Sequence, residues 1–266
     1  MMVCMASIPA PSRARSVGAL DIPAALVAPR RVFARVEDVP GYGWPLVILI
    51  TLMTMIGLAT VETGLIDLEV ERRIQQDIAA MEKQQVDVVE RSTLSKLIEE
   101  KREEGRFLRL MEHLRVIVAA PASVLVSVLL IASLFYAIVA LTGRKPEWNT
   151  LLTIGVFASF IDALRALSLL GLMLHFGTLS VSVSLAPLAK FLAIEGPGAA
   201  QASAAVGGLL SAFDPFRIWF WVIMILGLSV TGQLRGWKVW FTCGFLWLAA
   251  AGLRTAQAVA SAPQAA

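Results

Sequence analysis

The sequence predicts an all-α integral membrane protein: five transmembrane helices, with an extramembrane helical hairpin between the first and the second. Three observations predict it. Hydrophobic residues make up 57% of the 266-residue chain and charged residues only 16%, with a mean hydropathy of +0.73, too apolar for an ordinary soluble domain. Uncharged runs approaching the roughly 20 apolar residues that a bilayer core requires recur five times. One long segment of mixed charge separates the first run from the second.

The elements follow in order. Residues 1–40, rich in Ala, Pro and Arg, read as a flexible cytoplasmic tail with one interfacial turn around Pro29–Val36. A five-span membrane domain then covers 41–254. Its first span, 44–65, follows the turn-rich "VPGYGWP". The second is 116–142, and the third, 151–175, is interrupted by Asp162 and Arg165. The fourth and fifth, 218–234 and 237–253, are short. Lys238 and Arg254 are placed to snorkel to the headgroups there. Six of the seven tryptophans stand near these span ends, where an indole keeps its ring in the acyl boundary and its N–H wet; Trp247 falls inside the fifth span. Residues 255–266 read as a disordered tail.

The insertion 66–114 mixes acidic and basic residues at helical spacing, for example Glu69 with Arg73 and Glu103 with Arg106. Ile74, Ile78 and Met81, then Leu94, Leu97 and Ile98, give each half a narrow apolar stripe. Ser92 or Thr93 suggests a helix start and Gly105 a second break. Two readings stand: a spacer packed on itself, or a surface for a protein partner. Between spans three and four, the alternation Leu179, Val181, Val183, Leu185 resembles a strand. An isolated strand cannot satisfy its edges in lipid, so an unwound or interfacial segment is expected, followed by one or two short helices.

Orientation follows from basic residues in short segments near the membrane. Arg13, Arg15, Arg30, Arg31, Arg35, Arg144, Lys145, Arg235 and Lys238 fall on one side, against Lys190 and Arg254 on the other, with Arg217 at the edge. The N-terminus is therefore expected in the cytoplasm and the C-terminus outside, in a bacterial inner membrane.

Few residues carry chemistry. Asp162 and Arg165 are the main intramembrane anomaly, since ionisable groups in a span need a partner or a wet cavity. Their spacing lets them neutralise one another on one helix face. In "FDPFRIW", Asp214 suits an N-cap, Pro215 a first helical position, and Arg217 the headgroups; this is an interfacial helix start. Glu62 and His175 lie near span ends as interfacial polar groups. Cys4 and Cys243 fall on different levels and offer neither a disulfide nor a metal set. The two histidines lack zinc spacing, and no phosphate loop, nucleophile elbow or dinucleotide fingerprint is present. No catalytic residue, cofactor or metal is expected, and no nucleic-acid partner.

"PRRVFARVEDVPGYGWPLVILI" before the first span, and "FDPFRIWFWVIMILGLSV" leading to the closely spaced last spans, resemble the Yip (Ypt/Rab-interacting protein) family in its prokaryotic branch. Pro29–Phe33, Asp214–Trp219 and Gly227 carry most of the likeness. The resemblance implies a five-helix bundle with a cytoplasmic N-terminus and an outer C-terminus. The long insertion departs from the family's simplest pattern, so a Rab-like partner is not carried over. The leading expectation is a non-enzymatic scaffold or membrane organiser that touches lipids and binds a protein partner through 66–114, with homo-oligomerisation open. The alternatives are a component or accessory of an ABC-type exporter and, more weakly, a small-solute channel near Asp162 and Arg165.

Overall fold

A computed structural model describes residues 17–36, 38, 40–85, 91–178, 181–191 and 199–261. Its helices are α1 (Ile22–Val27), α2 (Pro29–Phe33), α3 (Gly43–Glu62), α4 (Leu65–Gln85), α5 (Arg91–Leu114), α6 (Ala120–Leu141), α7 (Trp148–Phe176), α8 (Ala199–Leu210), α9 (Pro215–Val230) and α10 (Trp237–Ala260). Short 3-10 turns cover Ala19–Asp21 and Ala186–Phe191, and no strand occurs among the described residues. The all-helical class is thus as the sequence predicts.

Four helical stretches are long and apolar enough to cross a membrane: Gly43–Glu62, Glu103–Leu141, Trp148–Phe176 and Trp237–Ala260. The expected fourth span is different. Helix α9 has only 16 residues, about 24 Å at 1.5 Å per residue, and qualifies only jointly with Gln201–Leu210, from which it is bent by 48°. The break has a local cause. Asp214 is extended, and Pro215 lacks the N–H that a continuous helix would need there.

The bundle is built around α7. Every residue from Thr150 to Ile161 is buried, because α1, α3, α6 and α9 all pack on this helix. Its buried hydroxyls stay satisfied locally: Thr153 donates to the Asn149 carbonyl (2.7 Å) and Ser159 to that of Gly155 (2.9 Å). Gly227 is where α9 meets α7. A Cβ there would stand 2.6 Å from Ile154 Cγ2 and 3.3 Å from Phe33 Cε2, so the absent side chain is what allows this approach.

That contact also corrects the expected tail. Residues 17–36 are folded: Ala25, Val32 and Phe33 are buried, and the Phe33 ring meets Phe157 edge-on at 6.3 Å. Arg35 closes the segment by an ion pair to Asp21 at 2.6 Å. Composition hides this because three well-placed apolar side chains suffice to anchor a short Ala- and Pro-rich stretch. Residues 1–16, with Cys4, lie outside the described residues. The expected C-terminal tail is also partly helical, since α10 continues to Ala260 through alanines of high helix propensity.

Helices α4 and α5 pack antiparallel. Ile66, Val70, Ile74 and Ile78 form the buried stripe of α4. Arg109 reaches Asp67 (3.2 Å) and Glu71 (3.7 Å), and His113 stands 3.5 Å from Asp67. Gly105 does not break α5. A Cβ there would lie 2.1 Å from Ile74 Cδ1, so the glycine is a notch for the facing helix. The side chains of Met81, Leu94, Leu97 and Ile98 lie outside the described residues. Helix α5 runs into α6 through a π-helical turn, Arg115–Ala119, in which the Ala120 N–H donates to the Arg115 carbonyl. The wider turn directly precedes Pro121, whose ring would crowd an ordinary helix.

At one end of the bundle, the loops 142–147 and 231–236 are tied together. Arg144 donates to the Gly232 carbonyl, and the Gln233 amide donates to Glu147 Oε2 at 2.8 Å while its oxygen accepts from the Glu147 N–H at 3.3 Å. This loop end is one pole of the molecule. The α4–α5 pair rises from the other.

Candidate functional site

Asp162, Arg165 and Arg217, singled out in the sequence, converge on one cleft. It holds about 530 Å³, within the range of small-molecule and lipid sites. Helices α6 and α10 are its two walls, α7 and α9 its back, and Met53 of α3 touches its edge. Four charged side chains line it, from three helices: Asp162 and Arg165 of α7, Arg217 of α9 and Arg254 of α10. Ser123, Ser127 and Ser159 add hydroxyls, and Phe220, Trp221 and Trp247 add aromatic surface.

Depth along each helix explains why these groups meet. Arg165 follows Trp148, and Arg254 follows Trp237, by the same number of residues, and both helices start at the loop end. At 1.5 Å per residue both guanidinium-bearing positions lie about 26 Å from that end. Helix α9 descends from the opposite pole, so Arg217, in its first turn, comes to a similar level. All three arginines thus stand well away from the loop end, toward the pole that carries α4 and α5.

The expected Asp162–Arg165 pair does not form. Arg165 Nε donates instead to Asp214 Oδ2. Asp214 is fully buried, and its other oxygen accepts from the Phe216 N–H at 2.9 Å, capping α9. One carboxylate therefore serves as both N-cap and counter-ion, bolting the start of α9 to the middle of α7. A residue at i+3 competes poorly with a carboxylate held rigidly by a cap and aimed across the interface. The Asp214 carboxylate is thus buried in the bundle, while Pro215 beside it stays exposed.

Asp162 is left facing the cleft, within electrostatic reach of Arg217, Arg165 and Arg254. Arg217 in turn feels Arg254 and Arg165 as well as Asp162 and Asp214. Among the described residues, neither Arg217 nor Arg254 makes an ion pair within 4 Å. Toward the loop end the cleft gives way to packed apolar core, with Ile154, Phe157, Met224 and Leu228 fully buried.

Two expected residues stay outside. Glu62 is exposed at the end of α3, and His175 is exposed in the last turn of α7, its ring edge-on to Phe176 at 4.9 Å. Arg254, Trp221 and Trp247 were read as a snorkelling group, an anchor and an isolated indole; all three line the cleft, and Trp247 meets Phe213 edge-on at 5.4 Å. The equal Trp-to-Arg spacing of α7 and α10 is the sequence signal that locates Arg254. Among the described residues, no group of three or more His, Cys, Asp and Glu is close enough to hold a metal ion.

A family model described as the Yip1 domain matches residues 24–254, nearly the whole chain and all of the cleft. No curated protein and no solved structure matches.

Proposed function

The chain belongs to the Yip1 domain family of multi-pass helical membrane proteins, and from that premise we propose that it is a non-enzymatic scaffold or membrane organiser that binds a protein partner through the α4–α5 pair. One observation carries this reading. Helix runs without interruption from Arg91 to Leu141, and a bilayer core takes only about 20 residues of it. Counted from Leu141, Phe107 stands roughly 20 Å beyond the far boundary. Even so, Phe107, Met111 and Leu114 are exposed on one face of α5, at the spacing of a helix-docking stripe. Helix α4 covers a different face, through Ile74 and Gly105. A solvated spacer has no need of such a stripe.

The basic residues of the two tied loops support a cytoplasmic loop end and an outer α4–α5 pair, in a bacterial inner membrane. The transport alternatives have less support. Loops 142–147 and 231–236 are too short for the coupling helix of an ABC-type exporter, and packed core below Asp162 interrupts any path for a solute.

The test uses Phe107→Glu with Met111→Glu. The full-length double variant should insert and fold as the parent does yet lose a partner that co-purifies with the parent in mild detergent. A partner retained at the parental level, or none with either protein, counts against the scaffold reading. Phe107→Cys in a background lacking Cys4 and Cys243 adds a geometric check: a membrane-impermeant maleimide should label it from outside in intact cells.

A further inference from the structure

We propose that the arginine cleft binds the phosphodiester headgroup of an anionic membrane phospholipid, independently of any partner on α5. The first argument is charge. Three guanidiniums stand against the carboxyl groups of Asp162 and Asp214, and because arginine stays protonated at least one positive charge is left in a site walled by apolar helices. Such a charge requires a counter-ion. A phosphodiester, which carries a negative charge and oxygen acceptors matched to guanidinium forks, supplies it.

The second argument is geometry. Arg165 is engaged by Asp214, which leaves the forks of Arg217 and Arg254, on different helices, free to grip one phosphate bidentately from two sides. The third is access. The α6 wall carries Val126 and Leu130, both lining the cleft and both 60% exposed. They face lipid, so an acyl chain can lie along α6 while its headgroup turns inward. With Arg165 and Arg254 about 26 Å from the loop end, a core of about 30 Å brings a lipid phosphate at its far boundary within reach of their side chains.

The experiment is native mass spectrometry of the full chain released from nanodiscs of mixed phosphatidylglycerol and phosphatidylcholine, with and without millimolar inorganic phosphate. The parent should retain one phosphatidylglycerol, with a roughly tenfold preference over the zwitterionic lipid. Arg217→Gln with Arg254→Gln should abolish that preference, while the charge-matched Arg235→Gln with Lys238→Gln at the loop end should keep it. Ala250→Phe fills the cleft without touching a charge and should also abolish it, which decides the matter if the arginine variant fails to fold. Equal retention in the parent and Ala250→Phe overturns the proposal. Displacement of the lipid by inorganic phosphate overturns it as well, by identifying a soluble anion as the ligand.

Discussion

The bond between Arg165 and Asp214 ties the middle of α7 to the start of α9, and it is separable from the alternative it replaces. Arg165→Gln leaves a carboxylate at 0% exposure with only the Phe216 N–H to satisfy it. The expected loss is about 3 kcal/mol, the low end for a broken buried pair because the Arg165 side chain is itself part-exposed. Adding Asp214→Asn should recover part of that loss, since asparagine still caps the helix. Adding Asp162→Asn should recover much less. Thermal unfolding in detergent, monitored by loss of the soluble folded fraction to aggregation, ranks the four proteins. If Asp162→Asn proves the better rescue, the assignment of the pair is wrong. The sequence flagged all four of Asp162, Arg165, Asp214 and Arg217, because charge inside an apolar run is conspicuous. It paired Asp162 with Arg165, whereas Arg165 meets Asp214, because the pairing depends on helix rotation and depth, neither of which is encoded in spacing along one helix. Only the matched distance from Trp148 to Arg165 and from Trp237 to Arg254 carries depth information, and it does so once both helices are known to start at the same end.

At the scale of elements, the long apolar runs were legible because hydropathy is summed over many residues, and single errors average out. Glycines were not, because one residue type serves both as a breaker and as a notch. Gly105 reads as a break in a charged helix, yet α5 passes through it and Ile74 occupies the space. Gly105→Leu should therefore destabilise the α4–α5 pair by about 1–3 kcal/mol through overpacking. Adding Ile74→Ala should relieve part of it by returning the volume. Hydrogen exchange over 65–114 reads this directly, with faster exchange in the single variant and partial recovery in the double. Were Gly105 a break, the leucine would instead extend the helix and slow exchange, and Ile74→Ala would have no bearing on it. The same ambiguity explains the fourth span. Its uncharged run continues past the end of α9, but Asp214 and Pro215 fix where the helix begins, and Val230 precedes a turn at Gly232 with φ +75°. A short helix is acceptable in a membrane only if something completes the crossing, and α8, packed on α10, is the element placed to do so.

For the molecule as a whole, the two poles differ in how they are held. The loop end is closed by Glu147 with Gln233 and by the folded segment 17–36, while the far end opens into the cleft and carries the α4–α5 pair. A segment read as a tail is thus part of the bundle, and its contribution is measurable. Phe33 is 1% exposed, meets Phe157 edge-on and closes over Gly227. Phe33→Ala removes that ring from a site too enclosed to collapse, so a loss of about 3 kcal/mol is expected. Gly227→Ala should act on the same junction from the α9 side, because its Cβ would press on Ile154 and Phe33 together. Combining it with Phe33→Ala should cost less than the sum, since the smaller residue frees part of the space the new methyl needs. The control is Leu20→Ala, in the same segment but 78% exposed, which should change the unfolding temperature little. A flexible tail predicts no effect from Phe33→Ala and strict independence from Gly227. The packed segment predicts a large effect and coupling between residues 33 and 227, far apart in the chain, the sense in which these helices and their N-terminal strap form one folding unit.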